Sequence, residues 1–466
     1  MDQLSAMDAS FLYIESPTVP QHVLGVMLFD AAGSEGRFSV ERFREVLEER
    51  IHLLPAFERR LVQVPLHLDH PYWIHDPDVD LDRHLHRTTL DAPGDLHALG
   101  RLVGEIGAQV LERDRPLWEL WLVEGLASGQ VALVAKMHHS TLYGAAGADM
   151  MAHLLDFGPE GRDIEPPPPA RIEDYPSTVS LVTKAALNTA RRPVRAAQTV
   201  VDSTKRLGQM GGMVGRAITK RSPVTLPFTA PRTLINGRLT ATREAAFTGV
   251  DFADIKAIKT AFDTKVNDVV LAAVTRSLRD YLLARDALPG KPLVASVPVN
   301  IGAGQVEGTD KISALLVPLP VLTADPVEQL MQCAEFSRNS KGMVDALGTE
   351  SIGDVAELVP PLLVLGGSKL YDGLGLSRLH PPLQSLVVSN MPGPPIPLYC
   401  AGARVDAVYP FGPLLPGAGL NITVLSNMGN LDVGLLGCPD LVPDLWEIAD
   451  GFPAAVADLL TAAQSR

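Results

Sequence analysis

The chain has 466 residues and a formal charge of −14, from 40 Lys and Arg against 54 Asp and Glu. That length accommodates two or three domains, each with a sizeable core, and the acidic balance argues against nucleic acid as a partner, because phosphate contacts need clustered Lys and Arg. Apolar residues make up 46%, which excludes a largely disordered chain, and no run approaches the roughly 18 uncharged apolar residues of a membrane-spanning helix.

From the first residue onward, MDQLSAMDASFLYIE contains Asp2 and Asp8, no Lys or Arg, and no continuous apolar stretch, so no export signal is expected. HVLGVMLFD (22–30) predicts a strand. SVERFREVLEERIHLL (39–54) places Phe43, Val46, Leu47, Ile51 and Leu54 on one helical stripe, with Ser39 as its N-cap. A second helix is expected over 96–114, followed by two strands, 117–126 and 130–139, paired across Ala-Ser-Gly. Residues 161–176 contain four consecutive prolines, which fit neither a helix nor a central strand, and form a linker.

From Ser177 to Arg221 the composition changes. Nine Lys and Arg stand against a single Asp, a reversal of the overall sign. Two readings stay open: connecting helices with solvated basic faces, or an amphipathic surface for anionic lipid. A second globular portion starts near Arg238. It holds a helix over 266–287 capped by Asn267, strands over 291–301, 313–321, 385–393 and 401–413, a hairpin over 420–437 turning at Met-Gly-Asn, and a last helix. Domains are therefore placed at 1–160, 161–237 and 238–466. Cys333, Cys400 and Cys438 share no metal or redox spacing, and a reduced, cytoplasmic setting is expected.

The chemistry concentrates at KMHHSTLYGAAG (136–147). Adjacent residues on a strand point to opposite faces, so the histidine pair cannot chelate one metal ion. The same alternation groups His139 with Met137 and Ala135, and turns His138 to the other face. A neutral imidazole at a strand end beside an apolar passage suits a general base acting on a hydroxyl. No Gly-x-Ser-x-Gly elbow and no reactive cysteine accompany it, which favours direct transfer over a covalent enzyme intermediate.

These residues carry a resemblance. HHSTLYG (138–144) is similar to the His-His-x-x-x-Asp-Gly motif of the bacterial wax ester synthase/acyl-CoA:diacylglycerol acyltransferase family, departing from it at Tyr143. The amino-terminal LSAMDASFLYIESPTVPQHVLGVMLFD, RPLWELWLVEGL (115–126), NDVVLAAV (267–274), VPVNI (297–301), SNMPGPPIPLYCAGARV (389–405) and GAGLNITVLSNMGNLDVGLLG (417–437) extend the likeness along nearly the whole chain. The resemblance implies an α/β fold of two chloramphenicol-acetyltransferase-like domains, joined by a helical linker, with the active-site channel between them. It implies that His139 takes the proton from an acceptor alcohol, that His138, Tyr143, Gly144, Asn267 and Asp268 support the site, and that Pro116, Leu117 and Trp118 form core and channel wall. Asn267 and Asp268 also have a purely local reading as helix-capping residues. The implied partners are acyl-CoA, as substrate with no further cofactor or metal, diacylglycerol or a long-chain alcohol, and a membrane or lipid-droplet surface contacted peripherally. Tyr143 cannot neutralise an arginine as the motif aspartate does, so an arginine in that pairing needs a different partner. A catalytically weak, lipid-binding relative is the alternative.

Overall fold

Two six-stranded sheets and one three-stranded sheet organise the chain in the computed structural model, which describes residues 1–34, 36, 38–76, 78–142, 146–166, 175–188, 228–300, 312–347 and 380–466. The small antiparallel sheet has the order β1 (Asp2–Gln3), β4 (Tyr72–His75), β3 (Arg59–Val62). The first large sheet contains β2 (His22–Asp30), β5 (Leu85–Thr89), β6 (Trp118–Glu124), β7 (Val131–His138), β12 (Tyr399–Cys400) and β13 (Ala403–Phe411), in the order β12-β13-β2-β7-β6-β5. The second contains β8 (Glu244–Asp251), β9 (Leu293–Asn300), β10 (Ile312–Leu319), β11 (Leu386–Met391), β14 (Leu420–Asn427) and β15 (Asn430–Gly437), in the order β10-β9-β11-β14-β15-β8.

Local chemistry sets most boundaries. The helix Val40–Arg50 begins at Ser39, whose hydroxyl accepts the Arg42 N–H at 3.0 Å. The helix Leu96–Ala108 begins at Asp95 in the same way, through Ala98 N–H at 2.7 Å. In the helix Val266–Ala284 the expected cap is corrected: Lys265 is the N-cap, and Asn267 lies within the first turn. Asp268 is the residue that contributes, its carboxylate accepting the Lys265 N–H at 2.9 Å. The β14–β15 hairpin turns at Met428 and Gly429, with φ of 46° and 98°. Two positive φ values in succession fit the twist of a two-residue hairpin.

The two large sheets share a core. Val26 and Leu28 of β2, Ala132 and Val134 of β7, Ala245 and Phe247 of β8, and Phe411 of β13 form one buried cluster with Leu99, Val103 and Ile106 of the helix Leu96–Ala108. That helix can lie in the seam because one side of it is glycine. A Cβ on Gly100 would stand 2.3 Å from the Ala245 carbonyl oxygen, and one on Gly104 would stand 2.3 Å from that of Arg243. β13 belongs late in the chain but pairs antiparallel with β2, from Arg404 opposite Asp30 to Phe411 opposite Leu24, through a bulge between Val405 and Ala407. The second half thus supplies an edge to the first half's sheet.

Candidate active site

β7 ends at His138, and a short 3₁₀ turn, His139–Thr141, follows. Two backbone bonds pin the junction: His138 N–H donates to the Leu117 carbonyl at 3.0 Å, and His139 N–H to the Gln21 carbonyl at 2.8 Å. Strand alternation places His138 as the sequence expects, on the face opposite Met137 and Ala135, whereas His139 does not join their row. Met137 and Ala135 face the core under the helix Val40–Arg50, while Ala132 and Val134 face the seam between the sheets. His138 continues the second row, so it faces the seam. His139 has left the strand, and its direction is set by the turn.

His138 is 1% exposed and sits in a polar network. Its Nδ1 accepts the Ser140 N–H at 3.1 Å and meets the Ser140 hydroxyl at 2.7 Å. Nε2 lies 3.3 Å from Glu15 Oε1. His22 approaches the same oxygen at 3.5 Å from β2, where it pairs directly across from His138. Glu15 Oε2 binds Arg113 at 2.8 Å. Burial raises the Glu15 pKa, but hydrogen bonds and the charges of its partners outweigh burial and bring it down to about 2. Burial, then the Lys136 charge, lower His22 to about 3. His22 is therefore neutral at neutral pH, and its Nε2 accepts the Leu111 N–H at 3.4 Å. Lys136, also 1% exposed, continues the row to Glu119 at 3.3 Å, and Arg115 meets the same carboxylate at 3.4 Å.

His139 has a different setting. Its ring stacks on Phe11 of the helix Ala6–Ile14, with centroids 3.9 Å apart and planes 18° off parallel. No other described residue hydrogen-bonds either ring nitrogen. Burial, then the neighbouring His138, lower its pKa to about 4, so the imidazole is neutral at neutral pH. An unprotonated imidazole can take a proton from a hydroxyl delivered to it.

The other expected residues fall in two groups. Pro116, Leu117 and Trp118 are buried where β6 begins. Trp118 lies between Phe57 and His84, with both ring centroids 4.2 Å away, and donates Nε1–H to the Phe57 carbonyl. Leu117 acts on the site through its carbonyl, which holds His138. Asn267 and Asp268 belong to the second half, and Asp268 is engaged with Lys265. Tyr143 and Gly144 lie outside the described residues. Two arginines buried within the described residues have partners: Arg50 binds Asp156 at 2.9 Å, and Arg243 donates to the carbonyls of Thr18, Thr240 and Thr242. A cavity of about 710 Å³ opens between the sheets at the Leu28 end of β2, beside Asp406, Tyr409 and Asp432, and neither histidine lines it.

Glu15, His22, Phe11 and Arg113 were not singled out by the sequence. Only the fold brings residues of the amino-terminal helix and the 111–115 stretch to the end of β7. The available signal was Lys136, a charge two residues before His138 in an otherwise apolar strand, which marks a polar row on that face.

Comparison with known proteins gives a consistent picture. The family model for the wax ester synthase/diacylglycerol acyltransferase catalytic domain matches residues 4–270, and the model for the C-terminal domain of the same family matches 309–459. A Mycobacterium tuberculosis protein that carries the name of a diacylglycerol O-acyltransferase is 37% identical over 469 aligned residues, covering 99% of this chain and 90% of its own. The structure of the wax ester synthase/diacylglycerol acyltransferase from Marinobacter aquaeolei VT8 superimposes with a TM-score of 0.71 at 28% identity, covering both chains in full. The first condensation domain of the calcium-dependent antibiotic synthetase shares the fold, with a TM-score of 0.57 at 16% identity.

Proposed function

Because the chain belongs to the wax ester synthase/diacylglycerol acyltransferase family and is an acyltransferase, we propose that it transfers a long-chain acyl group from acyl-CoA to diacylglycerol, with His139 as the general base. Long-chain alcohols are a second acceptor class. The observation that carries this reading is the neutral His139 imidazole, stacked on Phe11 with its ring nitrogens unengaged by other described residues. His139 removes the acceptor's hydroxyl proton as the oxygen attacks the thioester carbonyl. The tetrahedral intermediate collapses by breaking the C–S bond, and the imidazolium returns its proton to the departing CoA thiolate. A base with so low a pKa does not hold the proton ahead of attack, so deprotonation and C–O bond formation proceed together. Such a base contributes on the order of 10²–10⁴ in rate, and alignment of the two substrates supplies most of the remainder.

Both substrates have long apolar parts, so the enzyme works at a lipid surface, bound peripherally. No described helix is long and apolar enough to cross a membrane. A second reading, a lipid-binding protein with little turnover, is favoured by Tyr143 at the motif's aspartate position. Incubation with radiolabelled acyl-CoA and either dioleoylglycerol or hexadecanol separates them. Labelled triacylglycerol or wax ester is expected. Tight lipid binding with no labelled product with either acceptor overturns the transferase reading.

A further inference from the structure

The cavity of about 710 Å³ at the Leu28 end of β2 carries charge of one sign. Asp95, Asp251, Asp406 and Asp432 line it, and no described lining residue is Lys, Arg or His. Three of the four carboxylates are already engaged. Asp95 and Asp251 each accept a backbone N–H at the start of a helix, from Ala98 and Ala253, both at 2.7 Å. Asp406 binds Arg404 at 2.7 Å and Gln130 at 2.8 Å. Asp432 differs. It is 3% exposed, and its hydrogen bonds, from Val408 N–H at 2.8 Å and Asn427 Nδ2 at 3.1 Å, both reach the same oxygen, Oδ2. Oδ1 has no hydrogen-bond or ion-pair partner among the described residues. Across from Asp432 on β8 stands Gly249, close to Oδ1 and with no side chain to cover it. A buried carboxylate with one open oxygen is costly unless a donor or a cation meets it. Burial, opposed by the two hydrogen bonds, holds its pKa up at about 6. Burial, then the Asp432 charge, push Tyr409 in the same wall up to about 12. Both shifts mark a negative site short of a counter-charge.

We propose that this cavity binds an organic cation, an alkylammonium whose charged end meets Asp432 Oδ1 and whose carbon body lies along the apolar part of the wall. Two observations separate this class from a metal ion. Among the described residues no group of three or more His, Cys, Asp or Glu side chains could hold a metal. The cavity is also far larger than an ion needs, and Leu28, Leu96, Leu126 and Val250 make part of its wall apolar, as in sites for small molecules. Neither histidine of the pair lines it, so its occupant is not a substrate of the transfer. Its place gives the consequence. His22 faces His138 at one end of the β2–β7 ladder, and Leu28 lies toward the other. Leu28 and Ala407 belong to the first large sheet, Val250 and Asp432 to the second. A bound cation therefore ties the two sheets together at the end of the seam away from His138, and stabilises the folded chain by its occupancy.

The test is calorimetric titration of the full chain with cadaverine at neutral pH and constant ionic strength, with pentanediol as the uncharged counterpart. Saturable binding of cadaverine and none of pentanediol is expected, with a rise in melting temperature on saturation. Asp432→Asn keeps an acceptor for Val408 and removes the charge, and is expected to weaken the affinity about tenfold or more. Asp458→Asn, at an exposed position of the helix Leu445–Gln464, leaves the affinity unchanged. Should the Asp432 variant fail to fold, Ala127→Lys replaces it: this position is exposed and lines the cavity, and an ammonium placed there is expected to weaken binding to a similar degree. Absence of saturable cadaverine binding by the parent, equal binding of pentanediol, or an affinity unchanged by Asp432→Asn or by Ala127→Lys overturns the proposal. An equal loss in Asp458→Asn shows diffuse attraction to an acidic surface, and overturns it as well.

Discussion

Glu15 touches Arg113, Gln21 and both seam histidines through two oxygens, so changing its charge acts on all of them together. Glu15→Gln keeps the shape and removes the charge that faces His138. We expect kcat to fall about tenfold to a hundredfold with little change in KM, short of the 10²–10⁴ loss that removal of the base itself would bring. Parent-level kcat with a lowered melting temperature would limit Glu15 to a structural role. His138→Ala is a different kind of change. It empties a site that is 1% exposed and leaves Glu15 facing a void, so its first effect is on stability, by about 2–4 kcal/mol, read from denaturant unfolding. The pH profile of kcat/KM reports His139. With its pKa lowered to about 4, the acid limb is expected well below pH 6. A midpoint near 6.5, the ordinary value for histidine, would show the imidazole to be exposed in the working enzyme.

Between elements, the decisive contact is glycine against backbone in the seam. Gly104→Ala puts a methyl 2.3 Å from the Arg243 carbonyl, where only movement of the helix Leu96–Ala108 or of β8 relieves the clash. The expected cost is about 1–3 kcal/mol, while Gly25→Ala in β2, with nothing within 4 Å, serves as the neutral comparison. Equal melting temperatures for the two variants would show that the seam yields freely. The same seam marks the limit of what sequence conveys. Runs such as HVLGVMLFD and the Met428–Gly429 turn declare themselves through local chemistry, as does the Ser39 cap. The pairing of β13 with β2 does not, because β13 carries the same alternation whichever sheet it joins. The face taken by His138 was legible from strand alternation, and the direction of His139 was not. β7 ends at His138, so the turn that follows aims the second ring, and hydrogen bonds to Gln21 and Leu117, distant in sequence, pin that junction.

For the whole molecule, the buried titrating groups set the response to acid. His22 and His139 have folded pKa values of about 3 and 4, below the usual 6.5 of an unfolded histidine. Between those values and 6.5 the unfolded chain binds more protons than the folded one, so stability falls as pH drops below about 6.5. Glu15, lowered to about 2, adds a loss below the ordinary carboxylate range. Asp432 opposes them. Burial first, against hydrogen bonds from Val408 N–H and Asn427, holds it up at about 6, so its contribution is present at low pH and fades as pH rises. Two histidines and Glu15 outweigh one aspartate, and the melting temperature is expected to fall steadily from pH 6.5 to 4. His22→Asn flattens that fall and Asp432→Asn steepens it. A melting temperature constant over this range would mean that the seam stays hydrated. The central claim, that one neutral histidine transfers the proton in an acyl transfer from CoA to a lipid alcohol, is tested most directly by comparing parent and His139→Ala proteins for labelled triacylglycerol formed from acyl-CoA and dioleoylglycerol. The account predicts product from the parent, a loss of about 10²–10⁴ in rate for the variant, and matching melting curves. Undiminished product from His139→Ala would contradict it.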